Sequence, residues 1–199
     1  MKEADRERFT RQIRFLVEMD KMKNIYRQTR VLHEDRAEND AEHAWHLAML
    51  ALVLSEYANE PVDLKKVLAT VLIHDVVEID AGDTYAYDEE NLKTQKARED
   101  AAKERIYSIL PEDQKKELIA LFDEFENYAS PEARFARAMD NIQPLILNVS
   151  NDGGDWKEHA VTSKNVYGRQ SKTKLGSETL YEAADELIQD QIKKGNLPE

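Results

Sequence analysis

The stretch Val71-Leu72-Ile73-His74-Asp75-Val76-Val77-Glu78 sets an imidazole beside a carboxylate in an otherwise apolar run. Neutral imidazole nitrogen and carboxylate oxygen together suit a borderline divalent metal. A His-Asp dipeptide alone arises often by chance. Here the run reads as buried, and an ionised Asp in apolar surroundings is costly unless paired or metal-bound. On a helix, Glu78 falls four residues after His74 and three after Asp75, on roughly the same face. Gly82-Asp83 follows as a turn signal carrying another carboxylate. One segment thus offers two candidate ligands and two candidate acid/base groups.

Other donors lie elsewhere in the chain. His43 and His46 stand three apart near a helix start, and one of them is expected to be a ligand and the other not. Asp140 sits among Phe135, Ala138, Met139, Ile142 and Leu145. Pro144, four residues on, cannot donate to the Asp140 carbonyl and crowds it, which predicts a kink or an opened turn. Asp140 is then either a ligand or the ion-pair partner of Arg137, or of Arg134 if the helix bends. Lys21, Lys23, Arg27 and Arg30, taken singly, read as a solvated face.

The elements that must position these groups read as helices. Residues 5–23 carry an apolar stripe of Phe9, Ile13, Leu16 and Val17. Residues 31–40 read as a loop. Asn39 and Glu42 have the form of a capping box for a helix to about Ala58. Asp63 caps a helix over 64–79 whose apolar residues cover much of its surface. Residues 80–92, with Tyr85 and Tyr87, read as a loop at a pocket rim or lid. Helices follow over 93–109 and from Pro111 to about Tyr128. Ser130-Pro131-Glu132 marks a further helix start. Asn151-Asp152-Gly153-Gly154 is a loop signal. Asp155 and Glu158 form a second capping-box candidate before a short helix to about Val166, in which His159 reads as structural or exposed. Gly168–Gly176 reads as a loop, and a last amphipathic helix runs from Ser177 to about Lys194. The expectation is one all-α domain over 1–199, a bundle of about eight helices.

Composition narrows the function classes. The chain has 199 residues, six glycines, five prolines and no cysteine. Without cysteine, any metal must be held by histidines and carboxylates. The start of the chain, MKEADRERFT, lacks the apolar core of a secretory signal, and no apolar run reaches membrane-span length. A cytoplasmic protein is the expectation. The net charge of −12 argues against a nucleic-acid duplex or an anionic membrane surface as partner. A small anionic substrate remains compatible, because a metal and a few arginines reverse the local field.

The order His43 … His74-Asp75 … Asp140 resembles the signature of the HD-domain metal-dependent phosphohydrolases. Glu38-Asn39-Asp40-Ala41-Glu42-His43, His74-Asp75-Val76-Val77-Glu78 with Gly82-Asp83, and Ala138-Met139-Asp140-Asn141-Ile142-Gln143-Pro144 are similar to the branch containing the bacterial 5′-deoxynucleotidases. The resemblance implies a single HD-domain helical bundle with one metal held by His43, His74, Asp75 and Asp140, and His46 outside the ligand set. It implies that Glu78 helps activate the attacking water, that Asp83 is a functional position, and that Arg27 meets the substrate phosphate. Arg36 matches a further recurrent position. Homodimers are common among similar proteins. The pattern departs at Gln28, where the bacterial deoxynucleotidases carry a Trp associated with preference for 2′-deoxyribose.

Dinuclear members of the family generally recruit extra histidines between the His-Asp pair and the final Asp. None occurs between residues 76 and 139, which favours one metal. Mn, Co, Fe, Ni and Zn all suit the donor set, and two imidazoles make Mg less natural. The expected reaction is hydrolysis of a nucleoside 5′-monophosphate. The alternatives are a phosphodiesterase or pyrophosphohydrolase acting on another nucleotide, and a non-catalytic nucleotide-binding module with a structural metal. Few basic residues are expected near the site, which weighs against long polyphosphates.

Overall fold

A computed structural model describes residues 2–199 of the chain. Helix α1 spans Glu3–Met19 and passes through a 3-10 turn, Asp20–Asn24, into a hairpin of β1 (Tyr26–Arg30) and β2 (Ala37–Asn39). There follow α2 (Asp40–Leu54), α3 (Leu64–Ile73), α4 (Glu78–Ala81), α5 (Glu89–Tyr107), α6 (Glu112–Asn127) and α7 (Pro131–Ser150). The chain ends with α8 (Gly154–Glu158), α9 (Ser163–Gln170), α10 (Thr173–Gly176) and α11 (Glu178–Lys193). Eight of these helices have eight or more residues among the described residues. The fold is all-α, as the sequence predicts. No described helix is long and apolar enough to cross a membrane.

The polar stretch 26–39 folds as a hairpin rather than as flank and loop. The strands are antiparallel, with Tyr26 opposite Asn39, Arg30 opposite Ala37 and an irregularity between. Alternation along β1 turns Arg27 and Thr29 inward and leaves Tyr26 and Gln28 exposed. The capping box at the start of α2 forms in full: Asn39 Oδ1 accepts from Glu42 N, and Glu42 Oε2 accepts from Asn39 N. Asp63 and Ser130 cap α3 and α7 as their positions predict.

Three helix boundaries differ from expectation. The helix predicted over 64–79 stops at Ile73, and residues 74–77 form a tight turn with Val76 N bonded to Ile73 O and Glu78 N to Asp75 O. The Asp155/Glu158 pair makes no capping box; the box that forms lies later, between Thr162 and Asn165, and starts α9. The polar run 168–176 is not a loop. It completes α9 and forms α10, because Gln170 and Thr173 bury their polar ends against each other and Gly176 lies on α7. A Cβ on Gly176 would stand 2.2 Å from the Arg134 carbonyl oxygen, so only glycine fits there.

Among the described residues two apolar clusters make the core. One joins α2, α3, α7, α9 and α11 through Leu47, Val71, Phe135, Met139 and Ile188. The other joins α1, α5 and α6 through Phe15, Ile106, Tyr107 and Phe122, and takes in Val76 and Val77. The turn at 74–77 is therefore the seam between them: Val71 packs on one side and Val76 on the other. The predicted stripe of α1 behaves differently. Phe9, Ile13, Leu16 and Val17 are exposed, and Phe15 is the residue buried. Arg11 holds the helix down by donating to the carbonyls of Ser108, Ile109 and Leu110 at the end of α5.

Candidate metal centre

The seam gathers the donors. His43 comes from the first turn of α2, His74 and Asp75 from the turn after α3, and Asp140 from the middle of α7. His43 Nε2 lies 3.3 Å from Asp140 Oδ1 and 3.8 Å from Asp75 Oδ2. His74 Nε2 lies 2.9 Å from Asp75 Oδ2 and 3.8 Å from Asp140 Oδ1. Donor atoms on one ion with bonds of about 2.1 Å stand roughly 3–3.5 Å apart, so this set is near ligand spacing.

The remaining ring nitrogens fix the tautomers. His43 Nδ1 faces Gln143 Oε1 at 3.1 Å, and His74 Nδ1 faces the Val71 carbonyl at 2.9 Å. Each acceptor calls for Nδ1–H, which leaves both Nε2 atoms to the cluster, where a bound metal would take the place of a proton. His74 Nε2 is buried and in no hydrogen bond. Gln143 is itself oriented: its Nε2 donates to Glu38 Oε1 at 2.7 Å and to His46 Nδ1 at 3.2 Å. His46 thus stands one layer out. The donor chemistry and the orphaned Nε2 fit a divalent transition metal.

Charge is unevenly shared. With side chains alone, burial would lower the His74 pKa, but Asp75 and Asp140 outweigh it and hold the ring protonated up to about 10. Burial would raise Asp75, and the neighbouring His74 and Arg27 pull it well below the usual range instead. Asp140 is likewise held low against burial, by Arg169, His43 and His74. Glu78 goes the other way. Burial, then Asp75, push its carboxyl well up, with Arg27 opposing. Asp40 rises to about 7 through burial and Asp75.

Arg27 is half of this balance. Its Nη1 lies 2.7 Å from Asp75 Oδ2, 3.3 Å from Asp40 Oδ1 and 3.9 Å from Glu78 Oε2. Read singly it was a surface cation; β1 turns it inward onto three carboxylates. Asp40, Asp75 and Glu78 would otherwise be a second cation cluster, and the guanidinium already fills that role. Asp83 joins the wall of the same cleft, after Gly82 at φ 73°, a backbone that favours glycine. Arg36 does not join. Its guanidinium is exposed and paired with Glu42 at 2.7 and 2.8 Å, bracing the α2 cap.

Asp140 is placed where either reading is open to it. Oδ1 faces the histidines, and Oδ2 accepts from Arg137 Nη1 at 3.1 Å. Helix α7 continues through Pro144, and the turn there is opened to the extent that the Asp140 carbonyl loses the donor that residue 144 would supply.

The cleft beside the cluster has a volume of about 560 Å³. Arg137, Lys164, Arg169 and Lys172 line it together with Arg27. This corrects the expectation of few basic residues near the site. Arg169 and Lys172 were hidden in a stretch that read as a loop, and nothing in its local pattern points inward. Tyr87 stands on the cleft wall, and Tyr85 lines the smaller cavity next to it, ring to ring with Tyr87 at 5.1 Å and donating to Asp155 Oδ2 at 3.1 Å.

Fold and cluster define the class: an all-α bundle that gathers imidazole and carboxylate donors at one buried centre. An HD-domain family model matches residues 19–181. The mouse protein named 5′-deoxynucleotidase HDDC2 is 29% identical over 139 residues, 69% of this chain and 68% of its own length. The human protein of that name is 30% identical over 115 residues, 58% of this chain and 54% of its own length. A crystal structure described as a predicted metal-dependent phosphohydrolase from Magnetospirillum magnetotacticum MS-1 is 42% identical. It superposes with a TM-score of 0.92, over 97% of this chain and 100% of that one. The chain belongs to the HD-domain family and, with these relatives, to its metal-dependent phosphohydrolases.

Proposed function

We propose that this protein hydrolyses nucleoside 5′-monophosphates to nucleoside and phosphate, with one divalent transition metal held by His43, His74, Asp75 and Asp140. The observation that carries this reading is the convergence of four donor atoms beside Glu78 and Arg27, at the floor of a cleft whose volume suits a small molecule. The residue types favour Mn, Co, Fe, Ni or Zn over Mg. A bound cation there supplies Lewis-acid stabilisation of phosphoryl charge and a lowered pKa for water. Arg27 offsets phosphate charge. Glu78 takes a proton from the attacking water, and Asp83 returns one to the leaving 5′-oxygen. The whole chain acts as one cytoplasmic HD unit in this reading.

Gln28 bears on the sugar. It is exposed, lines a smaller cavity and brings no bulky ring to exclude a 2′-hydroxyl. The test is phosphate release from ribo- and deoxyribonucleoside monophosphates by metal-stripped protein, with Mn, Co, Ni, Zn and Mg returned separately. The expected result is metal-dependent release with ribo and deoxy rates within about tenfold of each other, since a pocket that merely tolerates an added hydroxyl discriminates weakly. No release with any metal would end the monoester reading. The extra cations of the cleft favour one second reading, a nucleotide carrying a further phosphate, so nucleoside diphosphates and bisphosphates belong in the same panel.

Self-association is part of the proposal. Helix α2 buries His43, Ala44, Leu47 and Ala51 inward, yet its outer face carries Trp45, Met49, Leu52 and Val53, with Trp45 and Val53 each 64% exposed. A helix apolar on all sides is covered on all sides. A second copy supplies a matching face about a two-fold axis. Trp45→Asp with Val53→Asp is expected to convert a dimer into a monomer by light scattering while the helical signal is retained; a wild-type monomer at micromolar concentration would remove this element.

A further inference from the structure

Pro144 leaves an unusual debt next to the metal centre. A proline at this position has no N–H for the carbonyl four residues earlier, which belongs to Asp140. That carbonyl is deep in the core, where an unpaired acceptor is costly. The partner it finds is a side chain from another element: Arg169 Nη2, on α9, donates to Asp140 O at 3.3 Å. The same nitrogen lies 3.4 Å from Asp140 Oδ1, the oxygen turned toward His43 and His74.

We infer that Arg169 is a positioning residue for the metal centre, standing in for the donor that Pro144 lacks and fixing the backbone and carboxylate of Asp140 together. The inference rests on the proposed reading of Asp140 as a ligand. Arg137 does not duplicate this role. It lies on α7 itself, engages the other carboxylate oxygen, and is anchored over the Phe125 ring at 3.7 Å and on Glu126. Helix α9 is held at the required height by its next residue. Gln170 Nε2 donates to the Asn141 carbonyl at 2.7 Å, and Thr173 Oγ1 steadies Gln170 at 2.8 Å. Two successive carbonyls of α7, at and after Asp140, are thus served by two successive side chains of α9. Arg169 also lines both cavities, so the residue that orients the ligand borders the substrate's space.

The arrangement makes a prediction that simple packing does not. Pro144→Ala restores a main-chain N–H to Asp140 O, so it should compensate for loss of Arg169. The experiment titrates metal-stripped full-length protein with Co(II), reading the dissociation constant by calorimetry and the visible ligand-field spectrum. R169M is expected to weaken Co(II) binding about 10- to 100-fold, the usual range for partners that orient a ligand, and to shift the spectrum. R169M with P144A should regain part of that loss, and P144A alone should bind like wild type. R169K keeps a cation but loses the planar guanidinium that aims Nη2 at both oxygens, so it should fall between R169M and wild type, and it carries the test if R169M does not fold. Wild-type affinity and spectrum in R169M or R169K, with D140A unable to bind Co(II), would overturn the inference and leave the ligand reading standing. Unaltered Co(II) binding by D140A would instead overturn the ligand reading beneath it. An R169M defect that P144A does not relieve at all would overturn the substitution of guanidinium for main-chain donor.

Discussion

Glu78→Gln is expected to keep full metal affinity and lose roughly 10²- to 10⁴-fold in kcat, the range spanned by loss of a positioned general base. The donor atoms of His43, His74, Asp75 and Asp140 are untouched by the change, so metal content should match wild type. The fold should be indifferent as well. In the protein without metal, burial and the neighbouring Asp75 push the Glu78 carboxyl toward its neutral form, and an amide is a neutral group of nearly the same shape. A bound dication reverses that bias by favouring the ionised form, which is the form able to accept a proton from water. The sign of the pH dependence follows. The base works only when deprotonated, so wild-type kcat should fall on the acid side of the Glu78 titration in the loaded enzyme. The variant should lack that limb and run at its residual rate throughout. Steady-state kinetics across pH, with metal content measured on the same samples, decide the point. An unchanged kcat in Glu78→Gln removes Glu78 from the mechanism.

How much of this centre could be read from the chain depended on whether a residue's neighbours in sequence are also its neighbours in space. His74, Asp75, Glu78 and Asp83 fall within ten residues of one another, and the structure keeps them together even though the helix predicted through them breaks at Ile73. The turn that replaces the helix seats Val71 in one apolar cluster and Val76 in the other, with His74 between them. Arg27 was legible only by resemblance, because its own segment, YRQTR, has no apolar alternation and its inward turn depends on pairing with Ala37–Asn39. Asp40 was legible as a helix start and not as a carboxylate facing Arg27. Arg169 was invisible for a stronger reason. Its partner is a main-chain carbonyl 29 residues away, freed by a proline, and no side-chain pattern encodes that meeting. The exposed stripe of α1 marks the opposite error: apolar periodicity marks a helical face and does not say whether the same chain covers it.

Asp140→Ala is expected to abolish tight metal binding, and the stability measurement that shows this must be read in two parts. Metal-stripped Asp140→Ala should already unfold at lower urea than metal-stripped wild type. Asp140 faces Arg137 at 3.1 Å, Arg169 at 3.4 Å and the ring of His74, and its removal strands buried cations. Breaking such a buried set from one side costs about 3–5 kcal/mol. That loss occurs whether Asp140 is a ligand or only an ion-pair partner, so it discriminates nothing. The second part discriminates. Adding metal at about 100 times the dissociation constant stabilises a protein by roughly 2.7 kcal/mol if the folded state alone binds, and this increment should appear in wild type and vanish in Asp140→Ala. Asp140→Asn separates the charges further. It keeps an oxygen that can accept from Arg137 and loses the anionic donor, so it should show a metal increment between the two. If Asp140→Ala retains the full increment, Asp140 is an ion-pair residue, and the centre must be rebuilt from His43, His74 and Asp75 alone, the three whose donor atoms lie mutually close without it.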